Sequence, residues 1–339
     1  MRRQFVKSRW GLYNLIAAVV VVWTLYCFIP EGVYLTKIIE LPVRKRPRTV
    51  VSISTFSQRV FEMQACLDSV FAQSQRPDRV IITIPRKFRV LEPTTAAGWS
   101  DVKGHTRWYN ETEADMVDYF SKYVTAPYKY HVNSDVHKTS YVYEIGPLTV
   151  QFLDDDADWG PGTKLLGALL LEKDPETVII TLDDDMEYHR LTVQWLSTHM
   201  QPNIALSFVC EMWNANESGF MNVGMWTLFD LFMTSPRVCA GWLNGWSAIA
   251  YHVSSFGPDI WTFLRSLPAS CFNNDDIWLS AYVVSQGVTT VYAPQILRHV
   301  KHVRNLELSL STNVNVREKG RSCARHLFPP EKQTLLMRW

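Results

Sequence analysis

Three consecutive carboxylates, Asp183, Asp184 and Asp185, end the apolar run Val178-Ile179-Ile180-Thr181-Leu182. Like charges crowded at a strand end repel one another unless a cation sits among them. Hard divalent cations such as Mg²⁺ and Mn²⁺ take oxygen ligands and often bridge carboxylates to substrate phosphates. The spacing therefore points to a metal–diphosphate site at the carboxyl end of a strand, where open α/β sheets bind ligands. In an extended segment Asp183 and Asp185 leave the chain on the same side, so they are the expected ligand pair, with Asp184 directed elsewhere. A solvated acidic turn is the plain alternative.

Two further acidic clusters could share that cleft. Asp154, Asp155, Asp156 and Asp158 follow the short apolar run Val150–Leu153 and compete as a metal site. The later triplet is preferred because its strand is longer and more apolar, as central parallel strands are. Asp275 and Asp276 open a helical segment. Asn274 or Asp275 would cap the free N–H groups there, and Asp276, with Asp275 as the lesser candidate, is left as a general base whose pKa a neighbouring carboxylate can raise. Beyond the last strand, Arg298-His299-Val300-Lys301-His302 could supply a metal ligand, His299, or contact phosphate through Arg298, Lys301 and Arg304. A basic surface segment explains the same residues.

These groups need a scaffold. Val50–Ile53 and Val80–Ile84 read as strands, and Val60, Met63, Leu67, Val70 and Phe71 recur at helical spacing between them. That order is a βαβ unit with a parallel sheet. Residues 90–140 are weakly periodic and predict an irregular insertion with one helix near 113–124. A loop at 158–162 leads to a helix capped by Thr163 and running to about Lys173. Strand 178–182 and a helix near 190–200 continue the alternation to 209, which makes the class α/β. Residues 210–235, rich in Met, Trp, Asn and Gly, predict a substrate-facing loop. Gly287 closes the helix that starts at Asp275, and Val288–Tyr292 is the last strand.

The N-terminus is of another kind. Arg2, Arg3, Lys7 and Arg9 precede an uncharged apolar stretch over residues 10–29, long enough to cross a bilayer. Its aromatic residues and basic flank lead us to expect residues 1–9 in the cytoplasm and the chain beyond the anchor across the membrane, the alternative being a cleaved or uncleaved signal region of unusual length. The expected division is a tail at 1–9, an anchor at 10–29, a stem at 30–48, a catalytic domain at 49–305 split near 209, and a polar C-terminal tail at 306–339. Sequons at Asn110 and Asn216 fit that side of the membrane. The five cysteines beyond the anchor permit two disulfides with one thiol left over, and spacing does not give the pairing. No CxxC occurs, so zinc is not indicated. A net charge of +1 over 339 residues gives no basic field for nucleic acid.

Several segments resemble nucleotide-sugar glycosyltransferases of the GT-A fold, in particular the family 2-like group. Val50-Val51-Ser52-Ile53-Ser54-Thr55 is similar to the opening strand and the turn facing the nucleotide. Cys66–Ser74 resembles the first helix, Gly160-Pro161-Gly162-Thr163-Lys164-Leu165-Leu166-Gly167-Ala168 a GPxTKLLGAL segment, and Asp183–Asp185 the DxD motif. Asn244-Gly245-Trp246 resembles the turn beside the donor sugar, and Asn274-Asp275-Asp276 the xED motif, with aspartate in place of its glutamate. The uracil-contacting aspartate usual after the second strand is replaced by Pro85-Arg86-Lys87.

The resemblance implies a Rossmann-like mixed sheet flanked by helices and a type II Golgi or ER membrane enzyme with a lumenal catalytic domain. It further implies a UDP-sugar held through Mn²⁺ or Mg²⁺ on Asp185 and Asp183. Thr55, Lys164, Asp184, Gly245 and Trp246 would lie at the donor, and Asp276 would deprotonate a glycan or glycoprotein hydroxyl. The rival readings are a glycan-binding protein on the same fold and a glycoside hydrolase using paired carboxylates.

Overall fold

Strands buried on both faces are apolar at nearly every position, as Arg79–Pro85 (β2) and Val178–Leu182 (β8) largely are, while Thr49–Ser54 (β1) is buried as deeply but mixes Val50, Val51 and Ile53 with small polar residues. The computed structural model describes residues 39–91, 104–107, 112–124, 126–135, 138–154, 157–213, 220–223, 235–293, 301–302 and 314–329. In it β1 lies between β2 and β8, parallel to both. Its side chains alternate between two cores: Val50 joins one face and Val51 and Ile53 the other. Gln64–Phe71 (α1) follows β1 after a 3₁₀ turn at Ser57–Glu62, where the apolar spacing predicts continuous helix.

The described residues of the expected irregular insertion at 90–140 are largely regular. Phe88–Leu91 (β3) pairs with Gly104–Arg107 (β4), and Glu113–Ser121 (α2) is a helix closed by a Thr112–Asp115 capping box. Tyr128–Ser134 (β5) and Thr139–Ile145 (β6) then form an antiparallel meander with Leu148–Leu153 (β7). Aromatic residues alternating with polar ones, such as Tyr128-Lys129-Tyr130-His131, suit half-exposed strands. Their polar partners hide the signal in a search for apolar runs. The cross-strand Tyr130 and Tyr143 rings sit 4.9 Å apart.

Thr163–Leu171 (α3) precedes β8, and Gly162, not Thr163, is its cap residue. Thr163 Oγ1 instead accepts from the N–H of Trp159 at 3.2 Å, tying the preceding loop to the helix. Met186–Glu187 (β9), Thr192–His199 (α4) and Ile204–Ser207 (β10) follow. Cys210–Trp213 (β11) and Phe220–Val223 (β12) are strands inside the expected loop at 210–235, joined in a small sheet to Trp242–Leu243 (β14). Arg237–Val238 (β13) and Ile249–His252 (β15) belong to the main sheet, whose order is β13-β16-β10-β15-β8-β1-β2-β7-β6-β5, with β16 at Thr289–Tyr292. The architecture is thus a ten-stranded mixed sheet flanked by helices.

Ile260–Ser266 (α5) and Asp275–Ser285 (α6) cover one face. Gly287, at φ +77°, ends α6 as its position predicts. Lys301–His302 (β17) pairs with β9. The expected polar tail contains a helix, Val314–Leu327 (α7), whose Cys323 and Ala324 are buried beside Phe328 in the core. Disulfides join Cys210 to Cys239 and Cys271 to Cys323, and Cys66 is a buried free thiol. The anchor at 10–29 and the sequon asparagines lie outside the described residues. Among the described residues no helix is long and apolar enough to cross a membrane.

Candidate active site

β1 and β8 run in the same direction, so their carboxyl ends deliver Thr55 and the acidic triplet to one edge of the sheet. The strand stops at Leu182, and Asp183–Asp185 lie in the turn leading to β9. Side-chain alternation therefore does not govern them. Asp183 and Asp185 are partly exposed, at 31% and 25%, while Asp184 points inward at 8%. The ion pairs divide the triplet differently. Asp183 Oδ1 is 2.6 Å from Lys164 Nζ. Asp184 Oδ1 and Asp185 Oδ2 share Arg59 Nη2, at 2.6 and 3.0 Å. Thr55 Oγ1 donates to Asp184 Oδ2 at 2.7 Å, so both oxygens of Asp184 are engaged. Burial, set against the Arg59 charge and the Thr55 hydrogen bond, pushes the Asp184 carboxyl up to about 6. Below the turn, Tyr188 Oη accepts from the Asp183 N–H at 2.7 Å and Cys66 Sγ lies 3.4 Å from the Asp183 carbonyl.

Asp183 Oδ2 and Asp185 Oδ1 have no partner among the described residues. Mg²⁺ and Mn²⁺ commonly take one or two carboxylates, keep several waters and complete their shell with substrate phosphate. Two part-exposed carboxylates with one open oxygen each fit such a shared ion. Among the described residues no group of three or more His, Cys, Asp or Glu is placed to hold a metal ion, so the protein would supply two carboxylates and water and phosphate the rest of the shell. His299, the expected further ligand, lies outside the described residues. The backbone of Lys301–His302 pairs with Met186–Glu187, directly after the acidic turn.

The second acid pair is placed by α6. Asp275 and Asp276 occupy its first turn, where the unpaired N–H groups favour negative charge. Asn274 stands at the cap position but its side chain makes no cap bond; its Nδ2 donates to the Ser270 carbonyl at 2.9 Å. The capping expected of Asn274 is thus absent, because its amide is committed to the preceding 3₁₀ turn. Asp275 Oδ2 lies 3.1 Å from Lys164 Nζ, a distance that makes an ion pair without hydrogen-bond alignment. Asp276 Oδ2 accepts from the N–H of Gly245 at 2.8 Å. Asp276 Oδ1 is enclosed and has no hydrogen-bond partner among the described residues. Burial first, and then the Asp275 charge, raise the Asp276 pKa well above the carboxylate range, against the pull of Lys164. Burial raises Asp275 as well, with Lys164 opposing it.

Lys164 joins the two clusters. It stands in the first turn of α3 with a side chain 4% exposed, which excludes an ordinary helix-surface lysine. Burial works against its charge, but Asp183, Asp275 and Asp276 overcome that and hold its pKa well above the usual value. A Cβ on Gly245 would collide with Asp276 Oδ1 and crowd Lys164 Nζ, so the turn before Trp246 requires glycine to bring its backbone to the acid. Trp246 itself is half-buried against the core. The rival acidic cluster is only partly described: Asp158 Oδ1 accepts from the Gly160 N–H at 2.9 Å and shapes the loop before α3, and Asp155 and Asp156 lie outside the described residues.

Sequence reasoning missed two residues. Arg59 lies just before the segment read as amphipathic helix, and nothing local marks it as facing acids far along the chain. Glu211, on β11, accepts from Asn244 Nδ2 at 3.0 Å and Trp242 Nε1 at 3.3 Å, holding the strand that leads into the Gly245 turn. Burial raises its pKa.

No protein-family model matches the chain, and no curated protein matches it. Two crystal structures of S. aureus TarS, one of residues 1–349, match 74% of this chain at 10% identity and a TM-score of 0.39. The chain spans 59% of the 1–349 structure and 36% of the other. At that level the likeness carries no functional argument.

Proposed function

We propose that the protein transfers a sugar from a UDP-sugar to an acceptor hydroxyl on a glycan or glycoprotein, with a divalent cation and with inversion at the anomeric carbon. One observation carries this reading. Two acid clusters of opposite character meet across Lys164: an open, part-exposed pair at the end of a parallel strand, and an enclosed carboxylate with an unpaired oxygen. The first suits a shared cation and a diphosphate, and the second suits proton abstraction.

In this reading Asp183 and Asp185 would hold Mn²⁺ or Mg²⁺, which would supply positive charge to the leaving diphosphate. Asp276 Oδ1 takes the acceptor proton while Oδ2 stays fixed by the Gly245 N–H. The acceptor oxygen forms its bond to the anomeric carbon as the bond to the diphosphate oxygen breaks. A raised pKa suits a base working near neutral pH. Lys164 keeps the two sites in register, and Thr55 holds Asp184 beneath the donor.

Two disulfides, which persist in oxidising compartments, and the basic-flanked apolar stretch at 10–29 support a lumenal catalytic domain on a type II Golgi or ER anchor. Full-length protein in detergent, given a panel of UDP-sugars with and without Mn²⁺, tests the activity. Slow donor hydrolysis that needs Mn²⁺ and is lost in D185A is the expected outcome. Turnover indifferent to both would sink the metal assignment, and binding of glycans without turnover would favour the non-catalytic reading.

A further inference from the structure

The acidic turn already contains a cation of its own. Arg59 is anchored in the 3₁₀ turn after β1, its side chain is 13% exposed, and its Nη2 touches two successive carboxylates. Phe56 lies 5.6 Å from the guanidinium. With Lys164 on Asp183, two cations face three acids before any ion arrives. We propose that Arg59 is a resident counter-ion that preforms the acidic turn and lowers its affinity for a free divalent cation, so that the ion is held tightly only together with a nucleoside diphosphate.

Electrostatics and geometry agree on this division. Asp184 is withdrawn altogether, one oxygen on Arg59 and the other on Thr55. Asp185 gives one oxygen to Arg59 and keeps one. A dication entering beside Asp185 meets a fixed positive charge, and like charge opposes its binding. Diphosphate oxygens supply the negative charge that this repulsion removes. Arg59 is thus a positioning residue for the metal site, and this inference rests on the metal–diphosphate reading above.

Mn²⁺ binding to the full-length protein in detergent, followed by electron paramagnetic resonance of the free ion, tests it in wild type, R59M, R59Q and R59K, with and without UDP. Wild type should bind Mn²⁺ weakly alone and tightly with UDP. R59M and R59Q should bind Mn²⁺ alone on the order of tenfold more tightly, the effect expected for losing a like charge a few ångströms away. R59K, which keeps the charge, should stay near wild type. Melting should show wild type indifferent to Mn²⁺ without UDP and the two neutral variants stabilised by it. A neutral variant that folds only with Mn²⁺ supports the proposal equally. Unchanged or weaker Mn²⁺ affinity in R59Q, with wild type still binding Mn²⁺–UDP, overturns the proposal and leaves the metal site standing. No Mn²⁺ binding by wild type even with UDP overturns both.

Discussion

The acids after β8 and the acids at the start of α6 are treated in opposite ways. Every carboxylate of the first group meets a cation, Asp183 on Lys164 and Asp184 and Asp185 together on Arg59, and Asp183 and Asp185 are part-exposed. The second group is enclosed, shares a single lysine, and leaves Asp276 Oδ1 without a partner. Part-exposed acids beside cations can hold a further cation or orient a charged ligand. An enclosed, under-neutralised acid has a raised proton affinity and can take a proton. The contrast teaches that burial and cation supply, rather than residue type, assign roles to five aspartates.

The strongest way to break the comparison is Lys164→Met, since both groups depend on that ammonium. Removing it leaves buried charge uncompensated, and the expected loss is about 3–5 kcal/mol of stability in urea unfolding, with activity gone. A K164M protein as stable as wild type would mean the two groups are independent. Next, Asp276→Asn should lower kcat on the order of 10²–10⁴-fold while the melting temperature holds or rises, because an enclosed charge short of counter-ions is removed. Asp183→Asn should instead raise the Mn²⁺ needed for half-maximal activity, with excess Mn²⁺ restoring turnover. Mn²⁺ rescue of D276N would erase the distinction.

The pH dependence sharpens it further. Asp184 titrates near 6 in the folded protein and near its ordinary value when unfolded, so the native state binds the proton more tightly between. Stability contributed by that proton is full below about pH 4 and is lost as pH rises through about 6, on the order of 3 kcal/mol in all. Denaturation of D184N should lack this slope. Asp275 and Asp276 act in the same direction, and Asp276 extends the slope to higher pH. The smallest effect is expected from Glu211→Gln, about 1 kcal/mol, with kcat reduced a few-fold, since Asn244 keeps one acceptor.

The central strands, the acidic turn and the start of α6 were legible because apolar runs and acid spacing are local features. Lys164 stood out only through its motif, and its ion pairs are tertiary. Thr55 and Asp184 are 129 residues apart, and no periodicity couples them or brings Arg59 to the same acids. The meander β5–β6–β7 was hidden by polar residues on half-exposed strands, and the cap expected of Asn274 is lost to a competing carbonyl. The helix α7 reads as polar along most of its length, and its burial is confined to a short face around Cys323.

The bond from Cys271 to Cys323 spans 52 residues of sequence and lands just before the α6 acids. It makes the helix α7 separable from the main chain in a chemical sense. A single protease cut within residues 303–313 would leave a two-chain molecule, one band on a non-reducing gel and two on a reducing one. Such a nicked molecule should keep its activity until a reductant is added, although no cysteine takes part in the chemistry.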